Sequence, residues 1–163
     1  MILPVYVPSR FLYSWVLAIW AFRLKPYPTT FQKFGIRVVA QEEDEGTWND
    51  QIKVYAALEL LSRHDKEKLG LVKKYIRIIM LSTIKNKGLL CFYMGAGVCL
   101  LDLKKLPVEM SSNRRAIKII GWLVYEASKI KFKGKLGAYL STSEEILNLC
   151  IEEQRRTVQK FCE

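Results

Sequence analysis

Three β-rich apolar stretches alternate with helical periodicity between Phe34 and Leu103, and this interleaving restricts the fold more than any other feature of the chain. Phe34–Ala40 (FGIRVVA), Tyr75–Leu81 (YIRIIML) and Leu89–Leu103 are rich in branched and aromatic side chains that fill a pleated surface. The second also allows a continued helix. The third contains Gly95 and Gly97 and reads as two strands or one bent strand. Gly-Ala-Gly lacks the rest of a dinucleotide fingerprint and the lysine of a phosphate loop, so these glycines are expected to serve a bulge or a close backbone contact.

The intervening segments follow the helical period. Asn49 or Asp50 is placed to cap a helix running to about Arg63, with Ile52, Tyr55, Ala56 and Leu60 at helical spacing. A shorter helix is expected from Asp65 to about Lys74. Ser111 or Ser112 caps a longer one through Ile117, Ile120 and Val124, ending near Gly134. Ser141-Thr142-Ser143-Glu144 is a capping box for a last helix that ends around Phe161. Strands interrupted by helices must be buried under them, so the expected fold is α+β, a small mixed sheet with helices packed on it. The 163 residues suffice for one domain with a substantial core, and no linker divides them.

The N-terminal 1–28 form an apolar, basic segment. Residues 1–41 contain no Asp or Glu but carry Arg10, Arg23, Lys25, Lys33 and Arg37. Phe11 to Phe22 is an apolar run of 12 residues, shorter than the roughly 20 that a membrane-spanning helix needs. It reads as a helix that packs on the core or lies on a membrane surface, and no secretory signal is recognisable. Cys91, Cys99, Cys150 and Cys162 match neither paired zinc knuckles nor a CxxC redox motif, so free thiols in a reducing, cytoplasmic compartment are expected. Peripheral membrane association is the alternative location. Cys99 and Cys150 lie in apolar surroundings and read as small core residues. The acidic run at 42–45 reads as a solvated turn and lacks the alternating ligands of an EF-hand loop.

The net charge of +10 favours solubility and acidic partners. Its densest basic stretch holds Arg114, Arg115, Lys118, Lys129, Lys131, Lys133 and Lys135 against Glu126 alone. Such a face could follow a nucleic-acid backbone or sit on anionic lipid, or simply be a solvated edge. No helix-turn-helix, RNA-recognition or zinc-finger signature accompanies it, so base readout has no support.

Leu123-Val124-Tyr125-Glu126-Ala127-Ser128-Lys129 has the spacing of His-Glu-x-x-His, which places two imidazoles one helical turn apart beside a glutamate base. Here Tyr125 and Lys129 occupy the ligand positions. A phenol with a pKa near 10 is a poor replacement for imidazole, and an ammonium has no lone pair to donate. The chain's single histidine, His64, cannot supply a two-histidine site or be placed beside a cysteine nucleophile from sequence. Considered alone, Glu126 and Lys129 read as an exposed i,i+3 ion pair and Tyr125 as a packed aromatic with its hydroxyl at the surface.

The runs FGIRVVAQEEDEGTWNDQIKVYAALELL, GVCLLDLKKLP and LVYEASK together resemble an uncharacterised zincin-like family of metallopeptidase-like proteins, whose members carry Leu-Val-His-Glu-Ala-Thr-His at the last point. The resemblance extends over roughly residues 34–161. It implies a zincin-like core with its active-site helix at about 112–133 and makes Glu126 a vestigial general base. It also implies zinc in the family's other members, with an acidic third ligand on the following helix near Cys150; here Tyr125 and Lys129 depart from the pattern, and neither Glu144 nor Glu145, which lie nearby, aligns with that third position. No cofactor and no catalytic zinc are therefore expected here, and the implied function is binding of a macromolecule. A basic membrane-surface or nucleic-acid-associated protein is one alternative, and a hydrolase with an unusual site around Glu126 is another. The diagnostic feature is the surroundings of Glu126: a cleft under the sheet edge facing a carboxylate of the last helix, or an open helical surface.

Overall fold

The branched residues of Arg37–Ala40 (β1) and Ile78–Leu81 (β2) pair in parallel, Val38 facing Ile79 and Val39 facing Met80. β2 continues in parallel to Val98–Leu101 (β4), and Cys91–Gly95 (β3) closes the sheet as its antiparallel edge. The strand order is β1-β2-β4-β3. The fold is α+β, with helices packed on a mixed sheet that has four strands among the described residues. The computed structural model describes residues 34–40, 45–85, 88–137 and 144–161. The expectations for 1–28, for Glu42, Glu43 and Asp44, for the Ser141–Ser143 cap and for Cys162 lie outside these residues.

Among the described residues the α-helices are Glu45–His64 (α1), Lys66–Tyr75 (α2), Ser112–Gly137 (α3) and Glu144–Gln159 (α4). No described helix is long and apolar enough to cross a membrane. Asp65 caps α2, accepting from the Lys68 amide at 3.0 Å, and also binds Lys160 just beyond α4 at 2.7 Å. Lys68 pairs with Glu153, so two ion pairs join the start of α2 to the end of α4. Ser111 accepts from the Arg114 amide at 3.4 Å and caps α3. α3 loses helical geometry at Gly134, whose φ is 71°, where the sequence predicts its stop.

Three local expectations require correction. α1 begins at Glu45, so Asn49 and Asp50 lie inside it rather than capping it. The face of α1 in the core carries Val54, Ala57, Leu58 and Leu61, whereas Ile52 and Ala56 are exposed and Tyr55 and Leu60 are only partly buried. Both sets recur at helical spacing in a helix apolar on several sides, and packing against the sheet selects between them. Tyr75 closes α2, and strand pairing starts only at Ile78.

The main core joins Val38, Ile79, Leu81, Cys99 and Leu101 to helical residues that include Leu58, Val72, Ile119, Ile120 and Leu123. The opposite sheet face holds a smaller cluster of Val39, Ile78, Met80 and Val98. α3 and α4 approach closely at Gly121, where an added Cβ would lie 3.0 Å from the Val158 methyl.

The glycine-rich stretch turns β3 into β4. Gly95, Ala96 and Gly97 have φ of 111°, 51° and 82°, and the register shifts between Tyr93 and Gly95. The carbonyl of Gly97 accepts from the amides of Arg77 and Ile78 at 2.8 and 3.0 Å. The two strands and the bulge agree with the sequence reading. Replacing Gly97 by Ala would combine a left-handed backbone with a Cβ 3.1 Å from the Arg77 side chain. Chemical denaturation should show Gly97→Ala destabilised by about 1–3 kcal/mol, while Gly70→Ala, in open space on α2, is neutral or stabilising by up to about 1 kcal/mol.

Candidate functional site

Glu126 lies two turns before the Gly134 break in α3, on the face that packs against the sheet. Leu123, Val124, Ala127 and Ile130 around it are fully buried, and so is Glu126 itself. A carboxylate without solvent contact costs several kcal/mol unless its charge and lone pairs are matched. Both oxygens are matched here. The ammonium of Lys129 lies 2.9 Å from each, and the backbone amide of Tyr93 on edge strand β3 donates to Oε2 at 3.1 Å.

The exposed ion pair expected from the spacing is therefore a buried one. The i,i+3 spacing is the same in both situations, but the position of β3 over the helix is a long-range fact that the helix sequence does not carry. Lys129 retains 17% of its side-chain exposure, and its ammonium also lies 5.4 Å from the Tyr125 ring centre and 6.0 Å from that of Phe92. Tyr125 is half-buried and packs edge-on against Trp122. Two rings and one carboxylate thus enclose the cation, which favours its charged state where water is scarce.

Burial pushes the Glu126 carboxyl above the ordinary glutamate range, against the opposing pull of Lys129 and the Tyr93 amide. Burial also works against the Lys129 ammonium, but the facing carboxylate outweighs it and raises that pKa. Desolvation raises the Tyr125 phenol, the Cys91 thiol and the Cys150 thiol, the last to about 11. Raised above their ordinary values, these neighbours stay neutral at physiological pH, so the charge that faces the Glu126 carboxyl is the Lys129 ammonium.

The last helix supplies Cys150, fully buried and close enough to Glu126 and Lys129 to feel both charges. Its glutamates point to other partners. Glu153 binds Lys68, Glu152 binds Arg155 and Arg156, and Glu144 and Glu145 are exposed. Glu126 therefore lies under the sheet edge, and the α4 residue beside it is a thiol. These residues do not fit zinc: Tyr125 and Lys129 replace the imidazoles, and the ammonium occupies the space at both carboxylate oxygens. Among the described residues no group of three or more His, Cys, Asp or Glu is arranged to hold a metal ion. His64 is exposed at the end of α1 and packs edge-on against Phe161.

Of the other basic positions, Arg114, Lys118 and Lys131 are exposed and Lys133 is partly so. Arg115 donates to the carbonyls of Pro107 and Val108 at 3.3 and 3.2 Å, and Lys131 lies over the Phe132 ring. The Lys135 side chain lies outside the described residues. Lys118 and Lys131 are separated by about 20 Å of helix, so the basic residues form one group at each end of α3 instead of a continuous stripe. Cys91, Phe92, Tyr93 and Cys99 were not singled out with Glu126 by motif reasoning. The only sequence signal for them is the strand pattern of 89–103, which does not say which helix the hairpin covers.

Comparisons of the chain with protein-family models, curated proteins and solved structures return no match.

Removing Lys129 should expose the cost of the buried carboxylate. Lys129→Met is expected to lose about 3 kcal/mol of unfolding free energy at pH 7. With the Tyr93 amide alone left to oppose burial, the folded-state pKa of Glu126 stands further above the unfolded value of about 4.3. A raised carboxyl pKa contributes stability below the unfolded value and loses it as pH rises through the folded one. The deficit of Lys129→Met relative to the parent should therefore shrink as pH falls from 7 towards about 4.5, as read by urea denaturation across that range. A deficit independent of pH would contradict the assignment.

Proposed function

We propose that the chain is a zincin-like, metallopeptidase-related protein that works without catalytic zinc and whose activity is the binding of another macromolecule. The closed Glu126–Lys129 pair carries this reading. A general base in metal-assisted hydrolysis must reach a metal-bound water and accept its proton. Glu126 instead has no solvent exposure and spends both oxygens on an ammonium and a backbone amide. The placement of a glutamate-bearing helix beneath an antiparallel edge strand, with the next helix packed against it, supports relationship to the zincin-like family. The loss of both ligand side chains supports loss of its chemistry.

The basic groups at the two ends of α3 favour a second reading, association with nucleic acid or an anionic membrane surface. Exposed Arg114, Lys118 and Lys131 could contact phosphates without reading bases. Cosedimentation with anionic vesicles and a salt titration on duplex DNA test it, and absence of binding to both at low salt removes it.

Equilibrium dialysis against zinc followed by metal analysis tests the leading reading. The expected result is no stoichiometric zinc, together with no peptidase activity on unfolded protein substrates. One zinc per chain that is lost on Glu126→Gln, or turnover abolished by that substitution, would overturn it and favour a hydrolase using an unusual site around Glu126.

A further inference from the structure

The sulfur atoms of Cys91 and Cys99 lie 3.0 Å apart, both thiols are free, and neither residue has any solvent exposure. Cys91 pairs with Leu101 and Tyr93 pairs with Cys99, so the two cysteines are diagonal neighbours on one face of the β3–β4 hairpin. That face lies against α3, with the Tyr93 amide bound to Glu126 between them in the chain. A disulfide has an S–S bond of about 2.05 Å, so about 1 Å of closure separates the contact from the bond. We propose that Cys91 and Cys99 are a redox pair that forms an intrachain disulfide, covalently fixing the edge strand that covers Glu126. This assignment stands independently of the function proposed above.

The chemistry requires a disulfide oxidant such as oxidised glutathione. One cysteine thiolate attacks that disulfide, forming a mixed disulfide and releasing one glutathione thiolate. The second cysteine thiolate then attacks the protein sulfur of the mixed disulfide and releases the other glutathione. The two thiol protons pass to solvent, the protein gives up two electrons, and the glutathione disulfide is reduced to two thiols. Burial raises the Cys91 thiol and slows the attack in the closed hairpin. Exchange therefore proceeds through opening of β3, which among the described residues is paired to the sheet through β4 alone.

Refolding gives the oxidant access to every thiol and makes the hairpin choose the partner. The full chain would be unfolded in denaturant, refolded in mixed reduced and oxidised glutathione, trapped by acid and alkylation, and mapped by peptide mass spectrometry. The proposal expects the Cys91–Cys99 link to outnumber every pairing that involves Cys150 or Cys162, and the linked chain to lose two alkylatable thiols. In the Cys99→Ser chain, checked for folding by circular dichroism, that link should vanish without an equivalent Cys91–Cys150 product. Free Cys91 and Cys99 in a refolded chain would overturn the proposal. So would persistent glutathione on either residue, or a mixture in which their link is no commoner than the others.

Discussion

The carboxylate of Glu126 must be neutralised inside the protein, and much of the surrounding arrangement follows from that requirement. α3 is the central helix of the packed layer, touching α1, α2, α4 and the edge strand, and its fully buried residues are apolar except for Gly121, Glu126 and Ser128. An unpaired carboxylate there would oppose folding by more than several neighbouring apolar contacts return. Lys129, one turn on, supplies the charge, and the Tyr93 amide supplies the remaining donor. The pair thereby satisfies an outward amide of an edge strand, a group that sheets otherwise leave open to a foreign strand.

The same requirement constrains the hairpin. β3 must remain in register with β4 for the Tyr93 amide to reach Glu126, and that register depends on the turn at Gly95-Ala96-Gly97 and on the bulge beside it. The Tyr93 hydroxyl accepts from the Gly97 amide at 3.0 Å, so one residue joins the turn to the ion pair. The Cys91–Cys99 contact lies in this hairpin too. Turn, thiols and carboxylate thus form one connected unit, built from two segments more than 30 residues apart in the Tyr93–Glu126 contact.

Much of this architecture was legible in the residues. Asp65 and Ser111 announced helix starts, Gly134 announced a stop, and the stretches around Val38, Ile79 and Val98 announced strands, because caps, left-handed glycines and branched runs are local chemistry. The core face of α1 was not legible, since Ile52 and Leu58 are equally apolar and only the sheet distinguishes them. The state of Glu126 was not legible either. A Glu and a Lys three residues apart read alike on an exposed helix and under a sheet edge, and the Tyr93 donor comes from a distant strand. The failure of Tyr125 and Lys129 as metal ligands was visible at once, because it depends on side-chain chemistry alone.

A double-mutant cycle on Glu126→Gln and Lys129→Met, read by urea denaturation at pH 7, tests the central claim most directly. A buried, bidentate pair predicts a coupling energy of about 2 kcal/mol or more, with the double variant more stable than Lys129→Met alone. A coupling of about 0.5 kcal/mol or less, the value of an exposed helical pair, would contradict the account.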